Sequence, residues 1–272
     1  MGKISDEARK QYYERIKEYK QAAEGILQRE QSLQKILSDD DPGTPYKRIT
    51  LAEERLNLAA YYLLQNRVSV ALLGTKAENF LNDARKSCYQ SVIYLEDVVT
   101  SYVDAPFSDY EDRLAMIEGI DDQKRYHLIR KLGFTIQSVE EGFGPNTKWK
   151  WSFVELEGRF ATVTKNLLNL KTLVAGLDPR VDGYEARLGH LELTKRLLQQ
   201  SADRYREKYE ISTERIDDFK IAIAYLAALR RLHILLGEAQ QGELIKRKTD
   251  VWKQKMETDE RKAEEHRGAT SA

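Results

Sequence analysis

The stretch WKWSFVELEGRFATVTKNLLNLKTLVAGL at residues 149–177 decides the fold class of this 272-residue chain. Its apolar side chains recur at alternating spacings of four and three residues. The series comprises Trp149, Phe153, Leu156, Phe160, Val163, Leu167, Leu170, Val174 and Leu177. This spacing places every member on one side of an α-helix, which is typical of a helix that packs against another helix. The pattern predicts a helix over 148–176, with Trp149 in the core.

Comparable apolar seams occur before and after this stretch, and no strand-like alternation of any length interrupts them. The predicted helices cover 4–38, 51–103, 109–118, 121–141, 148–176 and 183–236, followed by a polar helical tail to about 266. The apolar phase continues through Gly74 and through Ser212, so we predict that the two longest helices are unbroken. The expected fold is all-α: an elongated antiparallel coiled coil or helical bundle of two long helical hairpins joined by short helices.

Helix start signals define the boundaries of these segments. Thr50, Ser108 and Asp182 each follow a proline-containing loop and each precede a glutamate by three positions. This is the spacing of a capping box, in which the two side chains satisfy free backbone N–H groups. We therefore predict an N-terminal helical hairpin over 1–103, short connecting helices over 104–146, a C-terminal hairpin over 147–236 and a polar, partly disordered tail over 237–272.

The composition excludes several classes of protein. The chain has 44 basic and 44 acidic side chains, so no net charge attracts nucleic acid or anionic lipid. Cys88 is the only cysteine, which excludes an internal disulfide. Its place on the apolar stripe of the predicted 51–103 helix indicates a small buried apolar residue. The chain begins without a signal-peptide pattern, and its most apolar stretch, 221–236, is short and carries charges. We expect a cytoplasmic protein.

The sequence contains no recognisable catalytic or metal-binding motif. Its four histidines are far apart and lack ligand spacing: His127, His190, His233 and His266. The GFGP stretch at 142–145 lacks the further glycine and the preceding strand of a phosphate-binding loop. We therefore expect no cofactor, no metal ion and no enzymatic activity.

Length, helix content and balanced charge together favour a non-catalytic scaffold or adaptor. Such a protein would span distance and bind a protein partner or further copies of itself, forming an oligomer, and would not bind nucleic acid. One alternative is a membrane-surface coiled coil of the BAR kind, which would need one face rich in lysine and arginine. A second alternative is a ligand-binding bundle or enzyme with its site at the junction formed by 104–151.

Four aromatic residues are the candidate interface positions: Trp151, Tyr205, Tyr209 and Trp252. Trp151 follows Trp149 by two residues and so points roughly 200° away from it on a helix. We therefore expect Trp151 to contact either the connecting helices or another molecule, and not the helix that packs on the main seam. Tyrosine and tryptophan suit protein interfaces because each combines a large apolar ring with a polar group.

Overall fold

The computed structural model describes residues 4–38, 41–145, 147–175 and 177–270, with side chains described as far as residue 262. These residues form ten α-helices and no β-strand, which confirms the all-α class. The helices are α1 (Asp6–Gln34), α2 (Thr44–Leu73), α3 (Glu78–Val98), α4 (Glu111–Ala115), α5 (Asp122–Phe143), α6 (Lys150–Asn166), α7 (Leu170–Val174), α8 (Tyr184–Lys208), α9 (Ile216–Leu235) and α10 (Ala239–Thr270).

The chain divides into two compact units, and each unit uses two separate stretches of sequence. The first unit contains Met1–Ser101 and Glu111–Leu156, and the second contains Tyr102–Tyr110 and Glu157–Ala272. Helix α6 begins in the first unit and ends in the second.

The first unit is built on three antiparallel helices, α1, α2 and α3, with α5 packed against α2 and α3. Ala23 and Ile26 of α1 pack on Leu58 of α2 in one buried cluster. The Ser91 hydroxyl of α3 donates to the backbone oxygen of Ala52 in α2 at 3.0 Å, which connects these two helices.

Glu30 interrupts the apolar seam of α1, and the fold gives its carboxylate two donors. Glu30 is only 3% exposed. The Arg55 Nε atom and the Tyr94 hydroxyl donate to its Oε1 at 2.7 Å and 2.6 Å. A buried carboxylate is tolerated when it is paired and hydrogen-bonded in this way.

The predicted continuous helix over 51–103 is wrong, because α2 ends at Leu73 and the chain reverses into α3. Gly74 adopts a left-handed conformation at φ 66°, which glycine enters without steric cost and which commonly ends a helix. The backbone N–H of Ala77 donates to the Asn66 side chain at 2.9 Å, which fixes the turn. The predicted start after Thr50 is also wrong, since α2 begins at Thr44 with Pro45 in its first turn.

The second unit contains α8, α9 and α10 as successive antiparallel helices, with the last part of α6 alongside α8. The predicted continuity over 183–236 is wrong, because a turn between α8 and α9 reverses the chain. The seam of 149–177 supplies buried residues from Phe153 to Leu170. Its helix nevertheless stops at Asn166, and Asn169 caps the short α7 by accepting from the Thr172 N–H.

Two helices begin close to their predicted first residues, although the side chains predicted to cap them do not do so. Helix α4 begins at Glu111, close to the predicted start, but no capping bond is formed by Ser108, whose hydroxyl contacts Asp109. Helix α8 begins after Gly183, which adopts φ 80°, so Asp182 is not the cap. Helix α5 confirms the predicted segment 121–141, and Asp121 caps it by accepting from the Lys124 N–H.

Two further sequence expectations concern Cys88 and membrane insertion. Cys88 is fully buried as predicted, and its burial raises the thiol pKa to about 12. Within the described ranges, no helix has both the length and the apolar character needed to cross a bilayer.

Candidate functional site at the corner between α8 and α9

The backbone is unusual where α8 meets α9. Residues Tyr209–Thr213 form a π-helical turn, closed by a bond from the Glu214 N–H to the Tyr209 oxygen at 3.0 Å. Glu214 then adopts φ 49°, and no other non-glycine residue in the described part of the chain has a positive φ. Local π-helix and left-handed non-glycine residues are sparsely populated and concentrate at functional sites. We name this turn, with the ends of the two helices, the corner.

A buried ion pair holds the corner closed. The Lys208 Nζ atom lies 2.7 Å from Oδ1 of Asp218, and the two side chains are 17% and 7% exposed. The Thr213 hydroxyl donates to the other carboxylate oxygen of Asp218 at 2.7 Å. Both oxygens of this buried acid are therefore satisfied by the α8 side of the corner.

Aromatic rings form the core beneath the corner. Tyr209 stacks on Phe219 with centroids 4.8 Å apart, and Phe219 meets Trp252 of α10 at 5.9 Å. One turn earlier, Tyr205 stacks on Tyr225 at 5.7 Å. Rings at these distances gain attraction beyond that of buried area alone.

Basic side chains cover the outer faces of these rings. The Arg206 guanidinium and the Lys248 ammonium lie 5.1 Å and 4.8 Å from the Trp252 ring centroid. Lys255 lies 5.8 Å from the ring of Tyr209. These are cation–π distances, and they leave the cations at the surface of the unit.

Tyr209 connects the aromatic core to a polar cleft. Its hydroxyl donates to Oδ2 of Asp259 at 2.8 Å, and Lys255 approaches the same oxygen at 2.9 Å. Burial, followed by the hydrogen bond to Asp259, raises the pKa of Tyr209. The Lys255 and Tyr209 hydrogen bonds lower the pKa of Asp259. The phenol is therefore neutral and the carboxylate charged at neutral pH.

The cleft beside the corner has a volume of about 900 Å³ and is open to solvent. Eight of the ten described residues that line it are charged. The lining comprises Tyr209, Glu210, Glu214, Arg215, Ile216, Asp217, Lys255, Asp259, Glu260 and Lys262. Small-molecule pockets are mostly apolar with a few polar groups, so this lining suits the charged side chains of another protein.

The structure brings three of the four candidate interface residues together. Tyr205, Tyr209 and Trp252 are 5%, 6% and 3% exposed, and all three lie in the second unit. Their rings thus form the core of the corner, and only its polar cleft and cations are accessible. Trp151 belongs to the first unit, where it is half-buried with the Lys150 ammonium 4.6 Å from its ring centroid.

Trp149 is half-buried, so its predicted place in the core is wrong. The Arg85 guanidinium stacks on its ring at 4.0 Å and donates to the Ser152 hydroxyl at 2.6 Å. The Tyr89 hydroxyl donates to the Ser152 backbone oxygen at 2.6 Å. Arg85 therefore links α3 to the start of α6, and Phe153 is the first fully buried member of the seam.

Sequence reasoning missed the polar residues that shape the corner, Lys208, Asp218 and Asp259. One signal was available, because the Ser-Thr pair at 212–213 resembles a helix start inside a predicted helix. Asp217 and Asp218 follow it and suit the first turn of a new helix. Among the described residues, no group of three or more His, Cys, Asp or Glu side chains is placed to hold a metal ion.

The fold and the corner define a class: an all-α protein of antiparallel helices with a charged cleft at a strained turn. The chain belongs to the TP0443 family, whose family model matches residues 8–260. No curated protein and no solved structure matches the chain.

Proposed function

We propose that this protein is a non-catalytic helical adaptor that binds a protein partner through the cleft at the corner. The observation that carries the proposal is the coincidence of a cleft of about 900 Å³ with the strained turn and its charged lining. Strained backbone costs free energy, so its presence beside a cleft favours a role in recognition.

The accessible groups of the cleft suit a protein surface. Arg215, Asp217 and Glu214 are exposed at its edge, and Ile211 in the same turn is 70% exposed. An exposed apolar side chain among charges of both signs is the composition of an interface with a polar rim. The buried rings and the Lys208–Asp218 pair keep this surface rigid, which lowers the entropy cost of binding.

Site-specific photo-crosslinking tests the proposal. A photoreactive amino acid replaces Ile211 in the full chain, and a second protein carries it at Glu192, an exposed position on α8 away from the cleft. Incubation with native cell extract is expected to yield a defined protein adduct from position 211 alone. Light scattering of the purified chain identifies the case in which the partner is a second copy.

Two charge reversals make the result specific to the cleft. Arg215→Glu changes a cleft residue, whereas Arg196→Glu changes an exposed arginine of α8 that does not line it. We expect the adduct to decrease at least fivefold in the first variant and to persist in the second. Equal adducts from positions 192 and 211, or insensitivity to Arg215→Glu, would reject the cleft as the binding surface.

A further inference from the structure

A second polar cluster lies in the second unit, away from the residues that line the cleft. Its members are Lys165 in the last turn of α6, Arg231 of α9, and Asp104 and Tyr110 from the segment Tyr102–Tyr110. Lys165 is 6% exposed and Tyr110 is 1% exposed. Lysine is almost never buried to this extent unless an acid pairs with it directly.

Part of the cluster has a structural role. Lys165 Nζ donates to the backbone oxygen of Ala105 at 2.9 Å, and Arg231 donates to that of Asp104 at 2.9 Å. Asn166 donates to the oxygen of Tyr102 at 3.3 Å. These bonds satisfy carbonyl groups of a segment that has little regular secondary structure of its own.

That role does not require an ammonium group at residue 165, because a neutral amide performs the same task at Asn166. The only carboxylate in the cluster, Asp104, pairs with Arg231 at 2.8 Å. The amine of Lys165 lies 5.1 Å from the Tyr110 ring centroid instead. The hydroxyl of Tyr110 is buried and has no hydrogen-bond partner in the described structure. A buried amine beside a phenol without a partner is an arrangement that stability alone does not favour.

The surroundings of Lys165 favour its neutral form. Burial is the largest influence and the Arg231 cation is the second, and together they outweigh Asp104 and lower the pKa of Lys165 to about 8. Desolvation and a neighbouring cation are the two features that convert lysine from a surface charge into a nucleophile. Asp104 and Arg231 have side chains that are 40% and 41% exposed, so the cluster reaches the surface on that side.

We propose that Lys165 is a reactive amine that binds small aldehydes or α-keto acids as a reversible imine. The nitrogen lone pair attacks the carbonyl carbon to form a C–N bond as the C=O π bond breaks, and the carbonyl oxygen becomes a hydroxyl by taking one of the two protons of the neutral amine. The nitrogen then gives up its second proton and forms a C=N bond as the C–O bond breaks, and the oxygen departs with that proton as water. Hydrolysis reverses the sequence, so no oxidant or reductant takes part.

Reductive trapping tests this proposal on the full-length protein. The chain is incubated with glyoxylate and cyanoborohydride at pH 8, and modified lysines are quantified by peptide mass spectrometry. Lys253 on α10 is the internal control because it is exposed and forms no ion pair with another residue whose side chain the structure describes. An ordinary exposed lysine amine is less than about 1% neutral at pH 8, whereas an amine with a pKa of 8 is half neutral. We expect Lys165 to be labelled at least tenfold faster than Lys253.

The pH profile separates a reactive lysine from one that is merely accessible. The advantage of Lys165 should shrink toward pH 10, where exposed amines also become neutral. Arg231→Gln should slow labelling at pH 8 severalfold and move the profile to higher pH, with helix content checked by circular dichroism. Labelling of Lys165 in the unmodified protein at or below the rate of Lys253 would overturn the proposal. The labelling rate of Lys165 is measured without a protein partner, so its outcome does not depend on whether the corner binds one.

Discussion

Lys208 and Asp218 form a buried ion pair that joins the end of α8 to the start of α9, with 2.7 Å between Nζ and Oδ1. The pair spans the π-helical turn and the left-handed Glu214. Removing either partner leaves a charge in a position where water cannot solvate it fully. The pair is therefore the main polar determinant of the corner geometry.

Asp218→Ala should destabilise the second unit by about 3 kcal/mol, because Lys208 loses its buried partner. Chemical denaturation monitored by circular dichroism measures the change in the free energy of unfolding. Asp217→Ala is the matched control, since Asp217 is the exposed neighbouring acid in the same helical turn. Its loss removes only a favourable charge at a helix start, worth less than about 1 kcal/mol. Similar losses in both variants would contradict the importance of the pair.

Trp149→Ala should destabilise the first unit by about 2 kcal/mol, because it removes both half-buried ring area and the stacking of Arg85. Trp151→Ala should cost about 1 kcal/mol, since the described ring contact of Trp151 is with its neighbour Lys150. Urea titrations of the two variants provide the comparison. A larger loss for Trp151→Ala would mean that the Arg85 stack contributes little.

Gly158→Ala should destabilise the protein by about 2 kcal/mol through overpacking. A Cβ atom at Gly158 would lie 2.7 Å from Tyr205 Cε2 and 2.7 Å from the Tyr225 hydroxyl oxygen. Gly25→Ala in α1 is the control, because its new Cβ would lie 3.7 Å from the nearest atom, a guanidinium nitrogen of Arg29. There the better helix propensity of alanine should stabilise the protein by about 0.5 kcal/mol. Thermal unfolding should shift in opposite directions for the two variants.

The stability contributed by Lys165 should depend on pH with a defined sign. Its folded-state pKa is about 8, lowered from 10.5, so the unfolded chain binds more protons between these values. The free energy of unfolding therefore rises with pH across this window, by on the order of 3 kcal/mol at about 1.4 kcal/mol per pH unit. This contribution is fully present above pH 10.5 and is lost as pH falls through 8.

Lys165→Met isolates this effect, because every other titrating group is common to both proteins. Unfolding measured by urea at pH 7, 8, 9 and 10 should show wild type gaining stability relative to the variant at each step above pH 8. A difference that stays constant across the series would show that Lys165 keeps an ordinary affinity for its proton.

Periodicity predicted the helical class and most of the buried seam between Phe153 and Leu170, because burial of one helix face imposes the spacing. It could not predict the breaks at Gly74 and Glu214. A helical hairpin can keep the same apolar phase on both sides of its turn, so the phase cannot distinguish one long helix from two short ones. Local residues did indicate the two breaks. Gly74 precedes the capping-box spacing Thr75-x-x-Glu78, and the Ser-Thr pair at 212–213 is typical of a helix start.

The candidate sites show a different limit of sequence reasoning. Tyr205, Tyr209 and Trp252 have the composition of an interface, but the same rings also suit the core of a narrow bundle. Lys165 is visible as a lone charge in the apolar stretch ATVTKNLLNL. Its relation to Asp104, Tyr110 and Arg231 could not be predicted, because these residues come from elements whose packing no local pattern specifies.

The division of each unit into two stretches of chain has a consequence for synthesis. The segment Tyr102–Tyr110 leaves the ribosome before Glu111–Leu156, yet it belongs to the second unit. Lys165 and Arg231, which hold its carbonyl groups, are translated dozens of residues later. The carbonyl groups of the nascent segment therefore lack these hydrogen-bond donors until after the first unit has been synthesised. A single cut in the gene therefore yields neither unit intact, because each unit uses two separate stretches of sequence.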